Sequence, residues 1–155
     1  MSVVKCDWLC YIIKSVDSNR TYVGATNNLL RRLNDHNGMN GQSRGAKATK
    51  GQMWYPIVIT KGFTSKNACL SFESSLRKIK TRKCNKKYKY KSNMLPIEKR
   101  IVDLYNLLYN PSTLNKWSVN TLCIYQLEKY WFDRLHFCLP KDVGLLSGIS
   151  CIKDL

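Results

Sequence analysis

The sequence predicts an α+β fold, in which a small sheet is flanked by helices and followed by a helical extension. Apolar residues alternate in three short segments, as is typical of half-buried strands. Two of these segments are close enough in the chain to form an antiparallel hairpin. Between and after them, apolar residues recur at helical spacing. The predicted order is therefore hairpin, helix, strand, helix and then the extension.

In the first half of the pattern, turn and cap residues mark the ends of each predicted strand and helix. Residues 8–16 alternate as a strand, turn residues follow, and a second strand resumes at Thr21 and stops at Gly24. Thr26 or Asn27 is expected to cap a helix that runs to His36, because Asn and Thr accept hydrogen bonds from the first helical N–H groups. The Asn-Gly pair after His36 is a common helix end.

The second half begins with an irregular basic segment. Residues 38–53 are rich in Gly, Ser, Lys and Arg, which indicates a mobile basic loop. A third strand is predicted over residues 54–60, and Ser65 is expected to cap a second helix. From Arg77 to Lys91 the chain carries nine Lys and Arg and no acidic residue.

The composition and the apolar pattern of the sequence change near Leu95. Pro96 suits the first turn of a helix, and apolar residues recur at helical spacing up to Asn110. A further helix is predicted over residues 125–135. We therefore divide the chain into a basic α+β domain, residues 1–92, and a helical extension, residues 93–155.

Positive charge is strong and unevenly distributed. The formal net charge is +16 at pH 7. Residues 1–97 contain 19 Lys and Arg against four acidic residues, whereas residues 98–155 contain seven against six. A basic region of this density predicts a polyanionic partner, such as nucleic acid, for the first part of the chain. The alternative is a basic surface that serves solubility.

Composition excludes several other classes of protein. No apolar run approaches the roughly 20 residues that span a bilayer, and no signal peptide is expected. The seven cysteines are odd in number and lack C-x-x-C spacing, which argues against a disulfide framework and a zinc ribbon. We expect a soluble intracellular protein with reduced cysteines. The basic run could act as a nuclear signal, so nuclear and cytoplasmic sites both stay open.

Glu73 is the one acidic residue between positions 37 and 97, among fourteen Lys and Arg. Neighbouring positive charge is expected to hold its carboxylate ionised. It follows Phe72 on the second helix, at the margin of the apolar face. A partly buried carboxylate is a suitable ligand for a hard divalent cation, which keeps most of its waters and binds phosphate oxygens. The alternative is a salt bridge to Arg77 or Lys66.

Four more residues are candidates for the same site. Arg32 and His36 are four positions apart, so both lie on one side of the first helix. Arg suits the charge of a phosphate, and His can orient a water or relay a proton near neutral pH. Tyr11 and Tyr22 lie on the paired strands. Taken alone, these residues are also compatible with a solvated helix face and with sheet packing.

The hairpin and the helix after it resemble the GIY-YIG endonuclease superfamily. The two triplets of that family correspond to Leu9-Cys10-Tyr11 and Tyr22-Val23-Gly24, about ten residues apart. The family's helix Arg corresponds to Arg32, and its Tyr or His one turn later corresponds to His36. Its metal-binding Glu on the second helix corresponds to Glu73.

The resemblance implies both a fold and a catalytic site. The sheet is expected to be the small three-stranded antiparallel sheet of the GIY-YIG type, flanked by helices. The site is expected to hydrolyse phosphodiester bonds with one Mg²⁺ or Mn²⁺ on Glu73. Tyr22 would take the proton of the attacking water, with His36 as the alternative acceptor. Tyr11 would help to position that water, and Arg32 would offset the charge of the transition state.

Within the superfamily, residues 8–80 look like the Slx-type structure-selective nucleases, which cut branched DNA. The resemblance implies an endonuclease for Holliday junctions and flaps in DNA recombination, repair or replication. The sequence departs from the pattern because Leu9 replaces a Gly, and because the cysteine spacing of the subgroup's RING-like zinc module is absent. A scaffold protein and a homodimer therefore stay open. A compact form of the kind that large DNA viruses encode fits the sequence.

Basic residues near the predicted site are expected to contact the DNA backbone, which gives affinity without sequence preference. These residues are Arg31, Arg44, Lys47, Lys50, Arg77, Lys80, Arg82, Lys83, Lys86 and Lys87. Two alternatives to the branched-DNA nuclease remain. One is a non-catalytic nucleic-acid-binding module that keeps the fold. The other is a sequence-specific nuclease of the homing or restriction type, which usually carries a dedicated base-reading domain.

Overall fold

A computed structural model describes residues 6–41, 44–79, 88–108, 117, 122–128, 130–131 and 145–146. The elements in chain order are β1 (Leu9–Ser15), β2 (Thr21–Thr26), α1 (Leu29–His36), a short 3-10 helix (Lys47–Thr49), β3 (Trp54–Lys61), α2 (Lys66–Lys78), α3 (Pro96–Leu108), β4 (Cys123–Gln126) and β5 (Leu145–Leu146). No helix within these ranges is both long and apolar enough to cross a membrane.

The strands form one sheet in the order β2-β1-β3-β4-β5. The pairs β1–β2, β1–β3 and β3–β4 are antiparallel, and the short β5 pairs with β4 in parallel. The predicted α+β class and the hairpin, helix, strand, helix order are confirmed. The sheet is wider than expected, because β4 and β5 extend it beyond the three predicted strands. Strand β2 has no further neighbour among the described strands, so it forms an edge of the sheet.

Strand β1, which lies between β2 and β3, is buried over its whole length, because helices cover both faces of the sheet. Alternate residues of β1 point to opposite faces. On one face, Tyr11 packs in a cluster with Leu29 and Leu33 of α1. On the other face, Ile12 belongs to a larger cluster that includes α2 and α3 residues such as Phe72. The candidate site residues therefore lie on a rigid, fully packed support.

Helices α1 and α2 both begin after a side-chain cap, as expected, but only the cap of α2 lies at its predicted position. Asn28 caps α1, and its side chain accepts a hydrogen bond from the Arg31 N–H. The cap is one residue later than Asn27, the later of the two predicted positions. Ser65 caps α2 as predicted and accepts from the Ala68 N–H. Both caps are local sequence features, so the helices begin where short-range chemistry places them.

The extension is only partly helical. Helix α3 is confirmed, but the predicted helix over residues 125–135 is wrong at its start, because Cys123–Gln126 form β4. Tyr130 and Trp131 are helical, and residues 132–135 lie outside the described residues. Pairing with β3 satisfies backbone groups that would otherwise be left on an open sheet edge. The division into residues 1–92 and 93–155 stays a prediction, although both parts contribute to one sheet and one core.

Candidate active site

Three aromatic rings meet on the α1 face of the sheet, next to the edge strand β2. Tyr11 comes from β1, Tyr22 from β2, and His36 is the last residue of α1. The ring centroid of Tyr22 lies 4.9 Å from that of His36 and 6.4 Å from that of Tyr11. The Tyr11 and His36 centroids are 5.8 Å apart. The structure thus brings together three residues that the sequence predicted for one site.

Gly24 makes this arrangement possible. Tyr11 and Gly24 are partners in the β1–β2 register. A Cβ atom at position 24 would overlap the hydroxyl and ring of Tyr11. The Tyr11 side chain therefore crosses β2 at a place where only glycine leaves enough room. The sequence placed the end of the second strand at Gly24, whereas β2 continues through it to Thr26.

A chain of buried hydrogen bonds leads from Tyr11 through His36 to the basic loop. The Tyr11 hydroxyl lies 2.7 Å from His36 Nε2, and His36 Nδ1 lies 2.9 Å from the Thr49 hydroxyl. That hydroxyl donates its one proton to the Ala46 carbonyl at 2.9 Å. It must therefore accept from His36, which places the His36 proton on Nδ1. In the neutral ring, Nε2 is left as an acceptor for the Tyr11 hydroxyl.

The electrostatic environment keeps the side chains in this series of hydrogen bonds neutral. Burial, together with the positive charge of Arg32, lowers the pKa of His36 from 6.5 to about 4, although Asp35 opposes the shift. Burial also raises the pKa of Tyr11, and the Tyr22 hydroxyl adds to that shift. At neutral pH, His36 is therefore uncharged with both ring nitrogens engaged, and Tyr11 remains a hydrogen-bond donor.

Arg32 connects the rings to the loop that follows α1. Its side chain is 29% exposed and lies 3.7 Å from the Asp35 carboxylate. Its Nη1 donates to the Arg44 carbonyl at 2.9 Å. The guanidinium also interacts electrostatically with both tyrosines, and this interaction contributes to a raised pKa of Arg32 that burial opposes. Arg32 is therefore a fixed positive charge beside the tyrosine hydroxyls, with part of its surface accessible to a ligand.

Glu73 lies on α2 and is paired with a cation. Its Oε1 is 2.9 Å from Nη1 of Arg77, one turn later on the helix. Burial raises the pKa of Glu73, and Arg77 and Lys78 only partly offset the shift. The salt bridge to Arg77 that the sequence allowed is thus present. Neighbouring positive charge was expected to hold the carboxylate ionised; Arg77 and Lys78 act in that direction, but the burial of Glu73 has the larger effect on its pKa.

Arg77 also joins Glu73 to the ring cluster. Its guanidinium carbon lies 6.0 Å from the centroid of the Tyr22 ring, within the range of a cation–π contact. Arg77 therefore links the Glu73 carboxylate to the Tyr22 ring.

The site offers one carboxylate ligand, which suits a hard cation but not a metal that needs several protein ligands. Within the described part of the chain, no group of three or more His, Cys, Asp or Glu side chains could hold an ion. Glu73 is a single buried carboxylate whose pairing with Arg77 shows that its oxygens accept positive charge. Mg²⁺ and Mn²⁺ tolerate such a site, because they keep several waters and take further oxygen ligands from substrate phosphates. Zinc, which prefers three or four nitrogen or sulfur ligands, does not fit.

The predicted DNA-contacting residues fall into two groups. Arg31, Arg44, Lys47, Lys50 and Arg77 are exposed on the surface. Lys80, Arg82, Lys83, Lys86 and Lys87 lie outside the described residues. The exposed members come from α1, which also carries Arg32, from the loop after α1, and from the end of α2, which also carries Glu73. Among them, Arg77 contacts the Tyr22 ring.

Sequence reasoning missed Thr49. It lies in the irregular basic loop, where no periodicity distinguishes one position from the next, yet it is completely buried against His36. The loop reaches α1 because Gly45 sits against its backbone, where a Cβ would be 2.8 Å from the Asp35 carbonyl oxygen. The only sequence signal is the glycine content of the loop, which does not reveal which hydroxyl turns inward.

Comparison with known proteins agrees with this geometry. Residues 7–89 match the GIY-YIG catalytic domain. The chain is 43% identical over 137 residues to the uncharacterized protein L300 of Acanthamoeba polyphaga mimivirus, covering 88% of this chain and 76% of the relative. It is also similar to proteins named structure-specific endonuclease subunit slx1 in two fungi. For Aspergillus terreus the identity is 28%, over 93% of this chain and 40% of the relative.

The second fungal relative, from Vanderwaltozyma polyspora, is 32% identical over 61% of this chain and 28% of its own length. The chain therefore spans less than half of the length of either fungal protein. The match to the GIY-YIG domain begins before β1 and covers β1 to α2, which carry Tyr11, Tyr22, Arg32, His36 and Glu73. By this match and by the arrangement of its strands and helices, the chain belongs to the GIY-YIG endonuclease superfamily.

Proposed function

We propose that this chain is a DNA endonuclease that hydrolyses phosphodiester bonds at branch points such as Holliday junctions and flaps, in DNA recombination, repair or replication. The observation that carries the proposal is that three rings meet beside Arg32, and that Arg77, which is paired with Glu73, contacts the Tyr22 ring. These groups supply proton transfer, charge compensation and a cation ligand, which phosphodiester hydrolysis requires.

Two further observations support DNA with branches as the substrate. The fungal relatives are named structure-specific endonuclease subunits. Exposed cations also lie on α1, which carries His36, and on the loop after it, and cations that contact phosphates bind DNA regardless of its sequence. A nuclease that reads shape needs such contacts, because its selectivity comes from the path of the backbone and from its deformability.

Tyr22 is the best candidate for the group that takes the proton from the attacking water. Its side chain is half-buried, so it remains accessible from the surface. His36 is only 3% exposed and both of its ring nitrogens are engaged in hydrogen bonds. A base must reach the proton that it removes. In this scheme, the water oxygen bonds to phosphorus as the P–O3′ bond breaks. The water proton moves to the Tyr22 oxygen while the Tyr22 hydroxyl proton passes to solvent, and the leaving 3′ oxygen takes up a proton from solvent.

The remaining residues orient the reactants and compensate charge. Tyr11 donates its proton to His36 and accepts a hydrogen bond from Arg32, so its hydroxyl is fixed beside the position proposed for the attacking water. Arg32 lies beside both tyrosines and offsets the negative charge that develops on the phosphate. The products are a 5′-phosphate and a 3′-hydroxyl.

Glu73 is the residue that would hold Mg²⁺ or Mn²⁺. When bound, such an ion polarises the scissile phosphate and stabilises the leaving 3′ oxygen. Arg77 would then exchange its contact with Oε1 for one with a phosphate oxygen, since both are anionic acceptors of the same guanidinium. Removal of divalent cations with EDTA is expected to abolish cutting and to leave DNA binding in place.

The test is a cleavage assay with the purified chain and Mg²⁺, on Holliday junctions, flaps and linear duplexes of matched sequence. Cutting that follows the branch supports the proposal. Cutting of linear duplex at one sequence would instead identify the homing or restriction type. Binding without products would identify a non-catalytic module.

Variants test the assigned roles in the same assay. Glu73→Gln keeps the size of the side chain and removes its charge, so its rate is expected to fall by about 10²–10³-fold. Lys66→Gln, at the distant start of α2, serves as the control and should cut at the wild-type rate. A Glu73→Gln protein that cuts as fast as the wild type would refute the assignment of Glu73 as the metal ligand.

A further inference from the structure

We propose that the cavity between α3 and the start of β2 binds a backbone phosphate of the DNA next to the cut. This inference rests on the proposed function, since it assumes that DNA is the substrate. The cavity has a volume of about 270 Å³. It is lined by Thr21, Tyr90, Pro96, Lys99, Arg100 and Asp103.

Arg100 is the main reason to expect an anion here. Its Nε donates to the Thr21 hydroxyl at 3.3 Å. Its Nη1 is buried and has no hydrogen-bond partner among the described residues. A guanidinium presents five N–H donors in a planar fork that matches phosphate oxygens. A phosphate beside this fork would supply the acceptor that Nη1 lacks.

The other charged groups of the cavity leave it with a positive surface. Lys99 is exposed, and its Nζ lies 5.7 Å from the centroid of the Tyr90 ring. Asp103 is 1% exposed and its carboxylate accepts a hydrogen bond from the Tyr90 hydroxyl. The Asp103 charge is buried and also acts on Arg100, so it offsets part of the guanidinium's charge. The exposed Lys99 therefore supplies the net positive charge of the cavity and is accessible to a ligand.

One residue that lines the cavity is adjacent in sequence to a residue of the candidate active site. Thr21 directly precedes Tyr22 on β2, and the two side chains point to opposite faces of this edge strand. Arg77 bridges the two faces, since it contacts the Tyr22 ring and its charge also acts on Arg100. A DNA strand that curves around the edge of β2 would pass from Tyr22 over Arg77 to Arg100.

This placement changes the role of the extension. Residues 98–155 carry almost no net charge, so the sequence assigned the polyanion partner to residues 1–97 alone. Helix α3 concentrates two of the seven cations of the extension, Lys99 and Arg100, at the cavity. Local placement of charge, and not the net charge of the segment, decides whether a phosphate is bound.

The experiment measures the affinity of the full chain for a flap DNA over a series of salt concentrations, in EDTA to prevent cutting. One lost phosphate contact reduces the slope of log affinity against log salt by about 0.9 on duplex and 0.7 on single strands. Arg100→Gln and Lys99→Gln are expected to show such a reduction and to bind several-fold more weakly. Lys66→Gln removes the same charge about 16 Å from Arg77 along α2 and should change neither quantity.

Further measurements distinguish loss of the phosphate site from unfolding, from binding of free phosphate, and from failure of the proposed function. Arg100 is partly buried, so each variant is also melted thermally, and the exposed Lys99→Gln decides the matter if Arg100→Gln unfolds. Unchanged slopes in Lys99→Gln and in a folded Arg100→Gln would overturn the proposal. So would inorganic phosphate that binds at Arg100 without weakening DNA binding. A wild-type chain that binds no DNA refutes the proposed function, whereas one that cuts branched DNA with normal slopes in the variants refutes only this site.

Discussion

The Tyr11 hydroxyl donates a hydrogen bond to His36 Nε2 at 2.7 Å, and this bond determines what each residue can do. His36 acts as an acceptor from Tyr11 and as a donor to Thr49, so it has no nitrogen left for substrate. Tyr11 is in turn held in one orientation. The histidine is thus a positioning residue in the proposed mechanism, and proton transfer is left to a more accessible group.

Thr49→Val is expected to slow cutting by about tenfold or more, because it removes the acceptor of the His36 Nδ1 proton. A buried donor without a partner is unfavourable by about 1–3 kcal/mol, so the histidine would turn or change tautomer. Tyr11 would then lose its acceptor. The rate constant at saturating flap DNA measures this effect, with DNA affinity as a second readout that should change little.

Thr49→Ser is the matched control, because it keeps the hydroxyl and removes one methyl group. It should cut at nearly the wild-type rate. If the serine and valine variants are equally slow, the methyl packing and not the hydrogen bond is what matters at position 49.

Gly24→Ala is expected to reduce both activity and stability. The added Cβ overlaps the Tyr11 side chain, which has no other space in the packed α1 face. Overpacking of this kind typically costs about 1–3 kcal/mol. Displacement of Tyr11 should lower the cutting rate by about 10²-fold, as for the loss of a group that orients the transition state.

The control for Gly24→Ala is Ala25→Gly in the same strand. It weakens the strand by about 0.5–1 kcal/mol without any overlap. Urea unfolding and cutting rates are measured for both variants. Equal losses of activity at equal stability would show that Tyr11 does not depend on the space at Gly24.

Local chemistry explains why much of the fold could be predicted from the sequence. The hairpin, α1 and α2 are bounded by turn residues and by caps such as Ser65, which act within four residues. Strand β4 was missed because its four residues form a strand only by pairing with β3, more than sixty positions earlier. Periodicity over so short a segment does not distinguish a strand from a helix.

In the candidate site, too, some residues could be suggested from the sequence and others could not. Tyr22, Arg32 and Glu73 match positions of the family motif, so the resemblance selected them as candidates, and their roles stay predictions. Thr49 was not identifiable, because its burial depends on a loop that folds back onto α1. The direction of the Glu73 pKa shift was also out of reach, since counting neighbouring cations says nothing about burial.

Arg32→Ala and Arg31→Ala should separate catalysis from binding. Arg32 lies beside the tyrosines, so its loss is expected to lower the cutting rate by about 10²–10³-fold while DNA binding persists. Arg31 is exposed on the same helix, and its loss should weaken binding and reduce the salt slope by about 0.9. Single-turnover kinetics at saturating enzyme measure the first effect, and salt titrations measure the second. Similar profiles for the two variants would contradict the assignment.

The low pKa of His36 predicts how stability depends on pH. In the unfolded chain, His36 takes up a proton near its ordinary pKa of 6.5, whereas in the folded chain it does so only near 4. Between these values the unfolded state binds more protons, so the free energy of unfolding falls as the pH is lowered. Above pH 6.5 the histidine is neutral in both states and contributes no pH dependence.

His36→Gln isolates this contribution, because glutamine does not titrate while the carboxylates of the chain are unchanged. The wild type should be the more stable protein at pH 7.5, since it keeps the bonds to Tyr11 and Thr49. Its advantage over the variant should shrink steadily from pH 6.5 to pH 4, as measured by urea unfolding at each pH. An advantage that stays constant over this interval would mean that His36 is protonated as easily in the folded chain as in the unfolded one. The neutral ring that accepts the Tyr11 proton would then be excluded below pH 6.5.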